Sequence, residues 1–309
     1  MGPTAAGKTE LATRLADALP MEIVSVDSAM VYRGMDIGTA KPDAEMRRAY
    51  PHWLVDIAEP EEAYSAGRFV RDARAAIKAI HEAGHIPLLV GGTSLYFRAL
   101  LEGLHELPEA SPEVRAALER EARERGWPAL HERLAARDPT AAAAIHPNDA
   151  QRIQRALEIL ALSGQGPTQW YRAAPAGAFE WEPCRILVAP TRREVLHQRI
   201  EQRFHCMMEQ GFSREVRQLR ARPGMHAGLP SMRAVGYRQL WQHLDGRMGR
   251  DEAVYRGIVA TRQLAKRQLT WLRKQPVMLR VAGCGTDETK AVFDCLKRTS
   301  LTRWCPRLL

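Results

Sequence analysis

The sequence predicts an α/β fold, a parallel sheet flanked by helices and interrupted by a helical insertion. Three observations predict it. The chain opens on "GPTAAGKT" (2–9), which fills the pattern G-x-x-x-x-G-K-[ST] and runs straight into a helical stretch. Short apolar runs then alternate with turn residues and helical segments, the texture of parallel βα units. From about Leu104 that texture gives way to Ala/Arg/Glu-rich sequence with a helical period. The core is therefore expected to be P-loop NTPase-like and discontinuous, residues 1–103 and 186–309, with residues 104–185 as the helical insertion domain.

Each element follows in order. The glycines let the loop backbone curl so that its N–H groups point inward at phosphate oxygens. Lys8 adds a point charge, Thr9 a hydroxyl for Mg²⁺, and the helix over Glu10–Leu19 aims its positive end at the same place. "EIVSV" (22–26), "WLVDI" (53–57) and "IPLLV" (86–90) read as buried strands. In the insertion, Ser111-Pro112 opens a helix with a cap and a first-turn proline, and Asn148 or Asp149 caps another. "CRILVA" (184–189) returns to strand, and the remainder is mostly helix, ending in a long one over 251–275.

The 309 residues suffice for one large domain and a smaller one, and they carry a formal charge of +9. The excess is concentrated: Ile186–Gln275 holds 18 Lys and Arg against 7 Asp and Glu. An acidic partner is expected, nucleic acid being the commonest. The cysteines Cys184, Cys206, Cys284, Cys295 and Cys305 are scattered and odd in number, without metal spacing, and read as reduced thiols. The longest charge-free apolar stretch, near Ile86–Phe97, falls short of the ~18 residues a membrane span needs. A soluble, cytoplasmic protein is expected. Only Met1 precedes the glycine-rich loop, where such a loop ordinarily follows a buried strand. Either the chain begins late or it comes from a longer gene, and a version extended upstream by about ten residues is expected to be more stable and more active.

Three further stretches carry chemistry. Asp27 ends the strand 22–26, the edge that faces the ligand crevice in parallel sheets. A carboxylate beside a phosphate must bind Mg²⁺ or accept a proton, unless Asp27 is only a helix cap for the residues after Ser28. The strand 86–90 ends in Gly91-Gly92-Thr93, where an NTPase would place an acid for Mg²⁺, so ordinary ATP hydrolysis is disfavoured. Arg152 and Arg155, Arg199 and Arg203, "MRAVGYRQLW" (232–241) and "TRQLAKRQLTWLR" (261–273) interleave basic groups with aromatics, the footprint of RNA recognition. Trp241 and Trp271, each taken alone, read more readily as core. A small-molecule or nucleoside kinase would share the loop and Asp27 but leaves the basic third unexplained. A non-catalytic RNA-binding module would leave the loop and Asp27 unexplained.

Taken together, "GPTAAGKT", "VDSAMVYRGMDIGTAKP", "PLLVGGTSLYF", "HPNDAQRIQRALE", "LPSMRAVGYRQLW" and "YRGIVATRQLAKRQLTWLR" resemble the bacterial tRNA dimethylallyltransferases, over about residues 1–275. The resemblance implies transfer of a dimethylallyl group from its diphosphate to N6 of adenosine 37, beside the anticodon, with Mg²⁺ as cofactor. It implies Asp27 and Thr93 as catalytic residues. It implies a diphosphate site of Gly2, Pro3, Thr4, Ala5, Ala6, Gly7, Lys8, Thr9 and Arg203, with Thr9 toward the metal. The anticodon stem-loop would meet Asp27, Ser28, Ala29, Met30, Thr93 and Arg115, and Gln151, Arg152, Ile153, Gln154 and Arg155. It would also meet Arg233, Ala234, Val235, Gly236, Tyr237 and Arg238, and Lys266, Arg267, Gln268, Leu269, Thr270, Trp271, Leu272 and Arg273. A monomer with no membrane partner is expected. The tail after about Gly283 matches no part of that pattern.

Overall fold

The computed structural model describes residues 1–177 and 179–299. The chain divides into two compact units: Met1–Ala99 together with the chain from Trp181 onward, and Leu100–Glu180.

In the first unit, α1 (Lys8–Ala18) starts directly on the glycine-rich loop. Its N-cap is Gly7 at φ +91°, a left-handed conformation that costs glycine little. Leu11, Ala12 and Leu15 bury one face of the helix. β1 (Met21–Val26) follows, buried at five of its six positions, as a strand covered on both faces must be. After α2 (Ala44–Ala49) come β2 (His52–Trp53), α3 (Ala66–Glu82), β3 (Ile86–Gly91) and α4 (Ser94–Glu102). Ser65 caps α3 by accepting from the Arg68 N–H, and Phe69, Ala73, Ala76, Ile77 and Ile80 form its buried stripe. The three strands are parallel in the order β2-β1-β3, with Ile23 opposite both His52 and Leu88.

The second strand departs from expectation. Only His52 and Trp53 pair with β1, and the chain then passes through left-handed conformations at Leu54 (φ +63°) and Asp56 (φ +57°). The cause is a polar cluster. Asp56 takes Lys41 at 2.6 Å and Arg47 at 2.5 Å, while the N–H groups of Asp56 and Ile57 donate to the carbonyls of Met30 and Val31. The segment is thus hydrogen-bonded to the loop after β1 rather than to β1 itself.

The second unit is helical. α5 (Pro112–Arg137) begins on the Ser111 cap and breaks at Gly126, where φ is +80°. α6 (Pro139–Ala143), α7 (Ala150–Ser163) and α8 (Pro167–Trp170) complete it, with Asp138 and Asp149 capping α6 and α7. Leu118, Leu130, Leu134, Ile153, Ala156 and Leu157 form its core.

The chain re-enters the first unit with β4 (Ile186–Val188). Then come α9 (Arg193–Glu209), α10 (Phe212–Arg220), α11 (Tyr237–Leu244) and α12 (Arg250–Leu272). Small residues let α12 approach α9 closely: a Cβ at Gly257 would stand 2.3 Å from the Phe204 ring. The tail forms β5 (Leu279–Val281), parallel to β4, and α13 (Thr286–Leu296). Val292 and Leu296 of α13 join the core made by Leu11 and Leu15 of α1 and its C-cap Leu19. Met1 and Gly2 lie between the two sheets. Gly2 N–H donates to Gly91 at 3.2 Å, and the Met1 carbonyl accepts from Val188 at 2.9 Å. Cys184, Cys206, Cys284 and Cys295 are free thiols, and Cys305 lies outside the described residues.

Candidate active site

The sheet topology brings three chain segments to one edge. The glycine-rich loop, Asp27 at the end of β1 and Gly91-Gly92 at the end of β3 line a cavity of about 380 Å³, closed on another side by Arg199 and Arg203 of α9 and Gln268 of α12. A second cavity of about 540 Å³ adjoins it and shares Thr4, Asp27, Gly92, Arg203 and Gln268. Thr93, Arg233, Ala234, Val235 and Arg267 border this second space.

The loop is a cradle held from outside. Gln268 Oε1 accepts from Thr4 N–H at 2.8 Å, and Arg203 donates to the Thr4 hydroxyl. Lys8 Nζ donates to the Pro3 carbonyl at 2.6 Å, folded back on its own loop. Burial, and then the nearby Arg203 guanidinium, lower the Lys8 ammonium to about 8, against the pull of Asp27 in the other direction. Burial likewise lowers Arg203, again opposed by Asp27. Burial disfavours the charged form of both groups, and Lys8 also feels Arg203 as a like charge. An anion of two or more charges would relieve both.

Asp27 Oδ1 accepts from Ala29 N–H at 2.8 Å and Met30 N–H at 3.3 Å, so it caps a turn and not the helix that the sequence left open, because no helix follows Ser28 before α2. Among the described residues Oδ2 has no hydrogen-bond partner, so one oxygen is fixed and the other can accept a proton. Thr93 accepts from Ser28 N–H at 3.2 Å through its hydroxyl oxygen, which ties the ends of β1 and β3 together and leaves the hydroxyl proton to donate.

The wall of the second cavity is aromatic. Tyr96 stacks on Phe69 with centroids 4.2 Å apart, and Tyr64 meets Tyr96 edge-on at 6.3 Å. Burial raises the Tyr64 and Tyr96 phenols well above their ordinary range, so both stay neutral. Phe204 and Met207 of α9 line the same space.

The expected RNA-contacting residues divide. In the first unit Ser28, Arg233, Arg238, Lys266, Arg267, Thr270 and Arg273 are exposed, and Ala29, Met30, Ala234, Val235, Leu269 and Trp271 half-buried. Tyr237 and Leu272, by contrast, are core side chains, Gly236 is buried, and Gln268 is turned inward. Tyr237 is fully buried because its hydroxyl donates to Glu215. Trp271 lies flat against Phe97 with centroids 6.2 Å apart, so one face is already covered. Trp241 is core, only 6% exposed.

In the second unit Gln151 and Arg152 are exposed, whereas Ile153 is fully buried beneath them as an ordinary apolar position of α7. Arg115 and Arg155 both pair with the buried Glu158, at 2.8 and 2.6 Å, and Arg155 also donates to the Pro108 carbonyl. Gln154 is tied to Glu119 at 3.2 Å.

Sequence reasoning missed Glu215, which accepts from three successive N–H groups at Asp36, Ile37 and Gly38 and so fixes the loop carrying Thr39, Ala40 and Pro42 into the first cavity. It also missed the turn of Gln268 toward the loop. Neither residue has a spacing signature, since each acts on a distant segment.

A family model described as IPP transferase matches residues 30–275, most of the chain. The chain belongs to the IPP transferase family. Solved structures agree. The full-length tRNA isopentenylpyrophosphate transferase of Bacillus halodurans is 36% identical, covering 99% of this chain and 94% of that one, with a TM-score of 0.68. The tRNA delta(2)-isopentenylpyrophosphate transferase of Staphylococcus epidermidis is 32% identical over 97% and 98%, with a TM-score of 0.67. A eukaryotic dimethylallyltransferase acting on tRNA is 25% identical over 96% and 76%, with a TM-score of 0.77. For this IPP transferase the P-loop-like core, with its parallel strands and flanking helices, is therefore a family property rather than a local coincidence.

Proposed function

We propose that this enzyme transfers a dimethylallyl group from dimethylallyl diphosphate to N6 of the adenosine beside the anticodon of tRNA, releasing diphosphate. The observation that carries the reading is one cleft lined by the glycine-rich loop and two buried cations, Lys8 and Arg203, beside a carboxylate with a spare oxygen. No acid follows β3, where Gly91-Gly92-Thr93 stands, which fits a loop that holds a leaving diphosphate instead of hydrolysing ATP.

The chemistry follows from the layout. Loop N–H groups, Lys8 and Arg203 take the diphosphate, and Lys8 leaves the Pro3 carbonyl to do so. The allylic C–O bond breaks with its electron pair going to the diphosphate, where these cations and the Thr93 hydroxyl stabilise the growing charge. The amine nitrogen forms the new C–N bond and its proton passes to Asp27 Oδ2. The aromatic second cavity suits the prenyl chain and an adenine extruded from its stack. Mg²⁺ fits this donor set: it usually keeps water and substrate phosphate oxygens around one or two protein oxygens, and the Thr9 hydroxyl borders the cavity. When bound it would neutralise diphosphate charge. The exposed basic residues Arg233, Arg238, Lys266, Arg267 and Arg273 of the first unit would hold stem-loop phosphates. Among the described residues no helix is long and apolar enough to cross a membrane.

The test incubates the enzyme with dimethylallyl diphosphate, ATP and unmodified tRNA. A mass gain of one dimethylallyl group on the anticodon loop, competed by inorganic pyrophosphate and with ATP intact, is expected. ATP turnover stimulated by tRNA, without prenyl transfer, would replace this reading with the kinase-like one.

A further inference from the structure

We propose that Gln268 couples the two substrates: it is a positioning residue through which the RNA side of α12 sets the phosphate loop. The inference rests on the diphosphate reading of that loop given above.

Gln268 stands between exposed and buried worlds. Lys266 and Arg267, two residues and one residue before it, are exposed, and Arg267 borders the second cavity. Gln268 itself is only 9% exposed and reaches inward with both ends of its amide engaged. Oε1 accepts from Thr4 N–H at 2.8 Å, and Nε2 donates to the Gly92 carbonyl at 3.0 Å. A Cβ at position 92 would fall 2.5 Å from Nε2, so that residue is bare where the amide passes. One side chain thus pins the phosphate loop and the turn before Thr93 to the same helix. A core helix position needs no such amide; an apolar residue would fill it without two partners to satisfy. Thr4 lies within the loop and its N–H is held by Gln268, so any shift of α12 on loading RNA moves the backbone that would meet diphosphate. Coupling of this kind is reciprocal.

The experiment measures pyrophosphate affinity calorimetrically, with and without a saturating anticodon stem-loop RNA. The wild type should bind pyrophosphate several-fold differently in the two cases, with the same factor in the RNA affinity. Gln268→Met keeps the length of the side chain and loses both hydrogen bonds. It should weaken pyrophosphate about tenfold, leave affinity for the RNA alone unchanged, and bring the coupling factor to about one. Gln268→Glu keeps the acceptor for Thr4 and should retain the factor, although its charge lowers pyrophosphate affinity overall. A steady-state split, with donor KM raised and tRNA KM moved only by the lost coupling factor, is expected in the Met variant. Wild-type binding of pyrophosphate with a coupling factor of one would overturn the proposal and leave the diphosphate site standing. So would a Met variant with wild-type coupling. A wild type that binds no pyrophosphate would overturn both.

Discussion

Lys8 illustrates how a local pattern acquires its property only from distant neighbours. In the unfolded chain its ammonium holds a proton to the ordinary 10.5, while burial and Arg203 bring it to about 8 in the fold. Between those values the unfolded chain binds more protons, so this group makes the free protein more stable as pH rises from about 8 toward 10.5. A bound diphosphate restores the charge. Pyrophosphate should therefore raise the melting temperature more at pH 7 than at pH 9, beyond the ligand's own titration, and Lys8→Met should remove that difference; calorimetric scans at both pH values check it. Asp27→Asn keeps the cap on Ala29 and Met30 but takes away the proton acceptor. Single-turnover prenyl transfer should fall ~10²–10⁴-fold, with tRNA affinity unchanged in a filter-binding assay. Turnover near normal would remove Asp27 from the mechanism.

Elements place these residues by tertiary ties more than by their own pattern. The loop after β1 is long and irregular, yet Glu215 of α10 gathers its three N–H groups and Lys41 reaches Asp36 and Asp56, each at 2.6 Å. Glu215→Gln would turn an acceptor of several bonds into a half-donor facing N–H groups. A loss of about 1–3 kcal/mol in urea unfolding and a raised donor KM are expected, since the same loop borders the first cavity. The exposed side of α12 carries a different expectation. If Lys266 and Arg273 each meet one phosphate, changing either to Ala should flatten the salt dependence of tRNA binding by about 0.7–0.9 in the log–log slope. Titrations from low to moderate salt decide it.

At the scale of the molecule, the tail that matched no recognised pattern closes the core of the first unit. α13 lays Val292 and Leu296 against α1, the helix that carries the phosphate loop, and β5 extends the sheet beside β4. Leu296→Ala opens a cavity at a site only 3% exposed and should cost about 2–5 kcal/mol, read from the urea midpoint, while activity per folded molecule stays near wild type. Unchanged stability would make the tail an appendage. The second unit has its own core and its own buried ion cluster, Glu158 with Arg115 and Arg155, so two arginines expected on RNA are already oriented by a carboxylate.

What the sequence determined by itself is what short spacing can encode. The glycine-rich loop that opens α1, β1, β3, the caps at Ser111 and Asp149 and the long α12 depend on residues a few positions apart, so their signals survive in one dimension. The tertiary structure decided the rest. Asp56 drew "WLVDI" out of the sheet through Lys41 and Arg47, and Tyr237 and Ile153 sank into the core despite lying inside basic stretches. Gln268 became a clamp for Thr4, 264 positions away, instead of one more polar residue on a basic helix. A helix periodicity says which side chains share a face. It does not say what that face will meet, because the partner's donors and acceptors are fixed only when distant segments pack and each buried polar group must find its bond.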